Sequence, residues 1–294
     1  MMPLCWTASL RDICFVHLGK FGDIMIMLPA FKAIAEETGK PAICLVSEEF
    51  ASIFDGVTYV QPWVEPFHWW KDVGKARELA ERAGLNPIVV KWWDEPGAPA
   101  PAIRPGEKTV SLNIHGLRRV VSATDWDSFQ ASQWRYSGFS MDKLYEWPLV
   151  FDKRSPEREQ ALRDYYFSSP NPKLLVNLSA NGTSPFRHAK NVMSLIWGMG
   201  FDVVDLSRVR AHRIYDLLGL YDEAAGLITS DTATLHLAAA SSVPYIAFIN
   251  NGGAGSIPKG NCIKSIRYSQ FEGGMGLFVE ALKKLKALGT KAAA

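Results

Sequence analysis

Short, continuously apolar runs alternate with amphipathic segments twice along this chain, and that rhythm leaves few folds open. In the first half Ile13–Leu18, Ala42–Val46, Val57–Val60, Pro87–Val90 and Thr109–Leu112 read as strands; in the second, Leu174–Leu178, Phe201–Leu206, Gly226–Thr229 and Tyr245–Ile249 do the same. Runs without polar alternation belong to strands covered on both faces, the signature of a parallel sheet. Between the first two runs Ile24, Leu28, Phe31 and Ala35 recur at helical spacing, and Pro29 inside that segment predicts a kink or a late start. Helical segments are also expected over 191–199, 213–220, 232–241 and 277–288, the last closed by Gly289 as a C-cap. Two rounds of strand and helix imply two doubly wound α/β domains, 1–168 and 173–276, with the helix 277–289 free to pack back across them.

Composition narrows the class further. With 294 residues, 48% of them hydrophobic, and a net charge of +2, the chain is too apolar to be mainly disordered. No apolar run approaches the length of a membrane span and the first twelve residues lack a secretory pattern, so a soluble, cytoplasmic protein is expected. Cys5, Cys14, Cys44 and Cys262 form no C-x-x-C pair and read as buried free thiols. The small net charge hides an asymmetry: residues 1–170 carry 19 Lys+Arg against 22 Asp+Glu, residues 171–294 carry 13 against 8. An anionic ligand belongs with the second half. Eight of the ten tryptophans lie between Trp63 and Trp147, most of them as core; Trp69-Trp70 and Trp92-Trp93 are candidates for one exposed stacking face each. The proline-rich stretch 94–101 reads as a surface loop.

Three segments follow strands and carry chemistry. Gly19-Lys20-Phe21-Gly22-Asp23 opens onto the Ile24 helix; it matches neither the dinucleotide nor the P-loop pattern, and Asp23 is either that helix's N-cap or a general base. Ser230-Asp231-Thr232-Ala233-Thr234-Leu235-His236 runs from a strand into a helix whose first turn is rich in hydroxyls. A diphosphate there would meet free N–H groups, Thr232 and the His236 imidazole; the alternative is plain capping by Asp231 or Ser230. Ser179 to Lys190 holds Asn181, Gly182 and Thr183 followed by Arg187 and Lys190, a phosphate cradle or a solvated turn.

Taken together, Leu18-Gly19-Lys20-Phe21-Gly22-Asp23-Ile24 with Leu28-Pro29-Ala30, and Ser230-Asp231-Thr232-Ala233-Thr234-Leu235-His236-Leu237-Ala238-Ala239-Ala240 with Val243-Pro244, resemble the two signatures of the heptosyltransferases, family 9 of the glycosyltransferases. The resemblance implies a GT-B fold, two Rossmann-like domains facing a central cleft, and an inverting, metal-independent transfer from a nucleoside-diphosphate sugar to the hydroxyl of a saccharide acceptor. It makes Asp23 the base; beside it Lys20 and Gly22, from the same segment, and Trp92, as a stacking face, are expected on the acceptor side. It places the donor on Asp231, Thr232, Ala233 and His236, with no cofactor and no metal; Asn181, Gly182, Thr183, Arg187 and Lys190 of the third segment join the donor side on their residue types alone. Ala233 stands where the family pattern has glycine, and the chain is shorter than typical members. Two other readings stay open: a hydroxymethylated DNA base as acceptor, against which the acidic first half counts, and a sugar-nucleotide-binding protein without activity.

Overall fold

In a computed structural model of the chain, residues 13–68, 71–90, 133–134, 137, 139, 146–179, 186–249, 257–258 and 260–292 are described, the last four without their side chains. The chain forms two compact units, Met1–Pro148 and Leu149–Ala294. The strand reading placed the change between 168 and 173. Helix α3 (Pro156–Tyr166) is what draws the earlier residues into the second unit. Arg158 makes a two-pronged bond to the fully buried Asp216 at 2.9 and 3.0 Å, and Arg154 does the same to the buried Glu159 at 2.7 Å while reaching Asp222 at 2.6 Å.

The first unit holds a parallel sheet of four described strands in the order β3-β2-β1-β4: β1 (Ile13–His17), β2 (Ala42–Ser47), β3 (Val60–Glu65) and β4 (Asn86–Val89). Helices α1 (Phe21–Thr38) and α2 (Val73–Arg82) connect them. Among the described strands the two at the edges each contain a proline, Pro62 and Pro87, as edge positions allow because a missing N–H costs nothing there. The expected third strand, Val57–Val60, begins only where that run ends. Val57 and Tyr59 are buried, but in the approach to the strand, and β3 itself alternates exposed Gln61, Pro62 and Val64 with better covered neighbours. Helix α1 passes through Pro29 and ends at Gly39, whose φ of 68° is the left-handed cap geometry.

The second unit is a five-stranded parallel sheet, β6-β5-β7-β8-β9, from β5 (Lys173–Asn177), β6 (Asp202–Asp205), β7 (Gly226–Ser230), β8 (Tyr245–Ile249) and β9 (Cys262–Arg267). Helix α4 (Ala189–Trp197) follows β5. The segment expected as one helix over 213–220 is a 3-10 turn, Ile214–Leu217, running into the single turn α5 (Leu218–Tyr221). Helix α6 (Ala233–Leu237) continues as a 3-10 turn to Ala240, and α7 (Tyr268–Glu272) follows β9. The final helix, α8 (Gly276–Ala292), does not stop at Gly289. One glycine costs about 1 kcal/mol in a helix, too little to end one anchored by Phe278, Leu282 and Leu285 in the core. No described helix is long and apolar enough to cross a membrane.

Candidate functional site

Open parallel sheets bind ligands outside the carboxyl ends of their strands, where the strand order changes direction. That point lies beside β1 in the first unit and between β5 and β7 in the second. The first sequence signature leaves β1; the second leaves β7, with Asn177 and Ser179 at the end of β5 beside it.

In the first unit the turn after β1 is short. Helix α1 already begins at Phe21, with Lys20 as N-cap, so Gly22 and Asp23 lie inside its first turn and Asp23 is not the N-cap residue. Its carboxylate reaches back instead: Oδ2 accepts the Lys20 N–H at 2.9 Å. Acidic residues in a first helical turn also oppose the positive end of the dipole. Asp23 is half-buried and Lys20 exposed. The turn is fixed from below by His17, which sequence reading passed over as a strand residue. Its Nδ1 accepts the Gly19 N–H at 3.2 Å, and Nε2 faces the Asp23 carbonyl at 3.2 Å.

In the second unit the strand ends are joined by a network of neutral groups. Thr234 is its centre: its hydroxyl lies 2.8 Å from that of Thr229 and 2.7 Å from that of Thr232, and accepts the Asn177 amide N–H at 3.1 Å. Tyr221 donates to the Thr234 carbonyl at 3.0 Å, while Asn177 Oδ1 accepts both the N–H and the hydroxyl of Ser179. Asn177, Thr229 and Thr234 are all buried, so these bonds fix the end of β7 against that of β5. Asp231, Thr232 and Ala233 are half-buried at the rim.

His236 sits beneath them, 7% exposed. Burial pushes its imidazole down to about 4, so it is neutral near pH 7. Nε2 lies 3.9 Å from Asp231 Oδ1, and Nδ1 has no hydrogen-bond partner among the described residues. Arg187, just before α4, and Lys190, in its first turn, are exposed; between them His188 meets Glu272 at 3.1 Å. Phe186 packs on Phe248 and Tyr268, which carries the segment after β5 toward the ends of β8 and β9.

The structure thus brings Thr232 and His236 together with Asp231 and Ala233 at one strand edge, and Lys20, Gly22 and Asp23 at another. Asn181, Gly182, Thr183, Trp92 and the pairs Trp69-Trp70 and Trp92-Trp93 lie outside the described residues, as does the loop 94–101. Trp134 is core, with no exposed surface and its indole N–H on the Ile26 carbonyl at 2.9 Å. Cys14 and Cys44 are buried free thiols, and Cys262 is half-buried and free. No cluster of metal-binding side chains occurs among the described residues.

No protein-family model and no curated protein sequence matches the chain. Solved structures do. A glycosyl transferase family 9 protein from Veillonella parvula is 12% identical with a TM-score of 0.58, over 94% of this chain and 97% of that one. The E. coli heptosyltransferase WaaC with ADP is 15% identical at 0.51, over 92% and 99%, and E. coli ADP-heptose LPS heptosyltransferase II is 12% identical at 0.52, over 96% and 100%. The chain therefore has the α/β fold of those transferases, the class its two signatures imply.

Proposed function

We propose that the chain is an inverting glycosyltransferase that moves a sugar from a nucleoside-diphosphate sugar to the hydroxyl of a saccharide acceptor without a metal ion. The observation that carries this reading is His236. A buried imidazole whose Nδ1 lacks a partner demands an explanation, and it lies at the strand edge where an α/β sheet receives its ligand. A diphosphate supplies what is missing: oxygens for Nδ1 to bond and negative charge that favours the imidazolium. The hydroxyl of Thr232 and the first N–H groups of the following turn are the neutral donors beside it. Such preorganised donors stabilise a departing diphosphate as its charge develops.

Asp23 is the base in this reading. The acceptor hydroxyl loses its proton to the carboxylate as its oxygen bonds to the anomeric carbon; the bond from that carbon to the diphosphate oxygen breaks, and the nucleoside diphosphate leaves with the electron pair. Lys20 and Gly22 flank the carboxylate on the acceptor side, and Arg187 and Lys190 add positive charge on the donor side. The likeness to WaaC with ADP and to an ADP-heptose transferase supports ADP-heptose as the first donor to try. Thermal unfolding measured with ADP-heptose, UDP-sugars and GDP-sugars tests the donor, since a ligand bound only by the folded state raises its stability. We expect a rise with ADP-heptose that His236→Ala abolishes. No rise with any nucleotide-sugar rejects the donor site, whereas a rise without transfer to any saccharide marks a binding protein.

A further inference from the structure

At the end of β1 the imidazole of His17 has no exposed surface, yet the main chain engages it on both sides of the turn that leads to Asp23. The Gly19 N–H donates to Nδ1 at 3.2 Å. Nδ1 is then the acceptor, so the proton of the neutral ring sits on Nε2, which donates to the Asp23 carbonyl at 3.2 Å. The Asp23 carboxylate closes the figure by accepting the Lys20 N–H at 2.9 Å. Three bonds thus join residues 17 to 19, 20 to 23 and 23 back to 17, and the last two share Asp23. Burial pushes the imidazole down to about 4, which keeps the ring neutral and able to accept and donate at once. An imidazolium would present two donors, and the Gly19 bond would be lost.

We propose that His17 is a positioning residue: a neutral imidazole that pins the Gly19–Asp23 turn from beneath and so sets the direction of the Asp23 carboxylate toward an acceptor hydroxyl. The inference rests on the reading of Asp23 as base, but the pinning itself can be measured without turnover. A reacting group displaced by about 1 Å can lose roughly a hundredfold in rate, so a pin of this kind matters to chemistry more than to binding. No other single side chain replaces it: asparagine can reach Gly19 in place of Nδ1, glutamine can reach Asp23 in place of Nε2, and neither does both.

The test uses the full chain and the variants His17→Leu, His17→Asn and His17→Gln. In the unaltered protein nitrogen NMR should find His17 protonated on Nε2; protonation on Nδ1 overturns the proposal. Amide hydrogen exchange should rise about tenfold at Gly19 and Lys20 in His17→Leu, the weight of a hydrogen bond, with β2 and the second unit unchanged. The Asn variant should restore protection at Gly19 alone, while the Gln variant should restore it at Lys20. With ADP-heptose as donor and ADP release as the signal, His17→Leu should lower kcat at least about tenfold with KM for the donor within about twofold. Unchanged exchange at Lys20 in His17→Leu, or in His17→Asn, overturns the proposal, and so does faster exchange throughout β1 and β2, which would make His17 a core support only. If His17→Leu fails to fold, the Asn and Gln variants carry the same comparison. Full turnover by Asp23→Asn would remove the base and leave the exchange data to judge the pin alone.

Discussion

At the end of β1 the first unit sets one carboxylate, tied to main-chain N–H and steadied by a buried imidazole; at the end of β7 the second sets a cluster of hydroxyls, an amide and a second buried imidazole. Both edges arise from the same architecture, a parallel strand followed by a helix. The difference is in the groups each gathers. A single half-buried carboxylate suits the removal of a proton, while many short neutral groups suit the binding of oxygen-rich charge without the desolvation cost of buried ions.

The sharpest way to break this comparison is Asp23→Asn. It should lower the rate of sugar transfer by about a hundred- to ten-thousandfold, the usual span for a general base, with ADP affinity unchanged in titration calorimetry. A parallel loss of ADP affinity would show that the two edges do not divide the work in this way.

Next in size is a pH effect that the two units share. Burial holds His17 and His236 down to about 4 against 6.5 for an ordinary histidine. Between those values the unfolded chain takes up protons that the folded chain does not. Stability contributed by each therefore falls as pH drops from 6.5 to about 4 and is level above about 7, by up to about 3 kcal/mol per histidine. Calorimetric unfolding across that window reads the slope, and His236→Gln should flatten part of it in the second unit. A bound diphosphate should flatten it too, because it would give the imidazolium a partner; no change on adding ADP would set His236 apart from the ligand.

Much of this fold was legible, and the strands that escaped share a cause. β1, β2, β5, β7 and β8 are buried on both faces and so read as apolar runs. β3 and β9 are edge strands among those described, and exposed residues such as Gln61 and Lys264 interrupt the run that would reveal them. Helix α2 buries only Ala76 and Ala80, too small a stripe to stand out. At the site, Asp23, Thr232 and His236 could be picked out because they sit in short motifs. His17 and Asn177 could not, since their roles depend on main-chain partners two to six residues away and on Thr234, 57 residues on. Asp23 also had two readings, cap or base; it is not the N-cap residue, yet its carboxylate closes the helix start from the third position, a reach-back that a sequence pattern does not distinguish from a cap.

Within the second unit α3 lies close against Gly219, and Gly219→Ala addresses that contact. A Cβ at Gly219 would lie 2.5 Å from the Glu159 Cβ and 3.0 Å from its Cα, so α3 would have to move. Overpacking of this kind costs about 1–3 kcal/mol, and urea unfolding should show it as a loss in the second unit alone. An equal loss in both units, or none, would mean that α3 does not belong with the second.

The smallest expected effect probes the neutral network itself. Thr234→Val keeps the branched shape but removes the one hydroxyl that meets Thr229, Thr232 and Asn177. The Asn177 amide is then buried with its N–H unpaired, which costs about 1–2 kcal/mol in the second unit's urea stability. Thr234→Ser retains the oxygen and loses a methyl group, about 0.8 kcal/mol if fully buried. Valine should therefore be the worse substitution even though it is the closer in shape. It should also weaken ADP binding more than serine does, because Thr232 loses the contact that orients its hydroxyl at the rim. Equal effects of the two would mean that the site is held by packing and that its hydroxyls serve only the backbone.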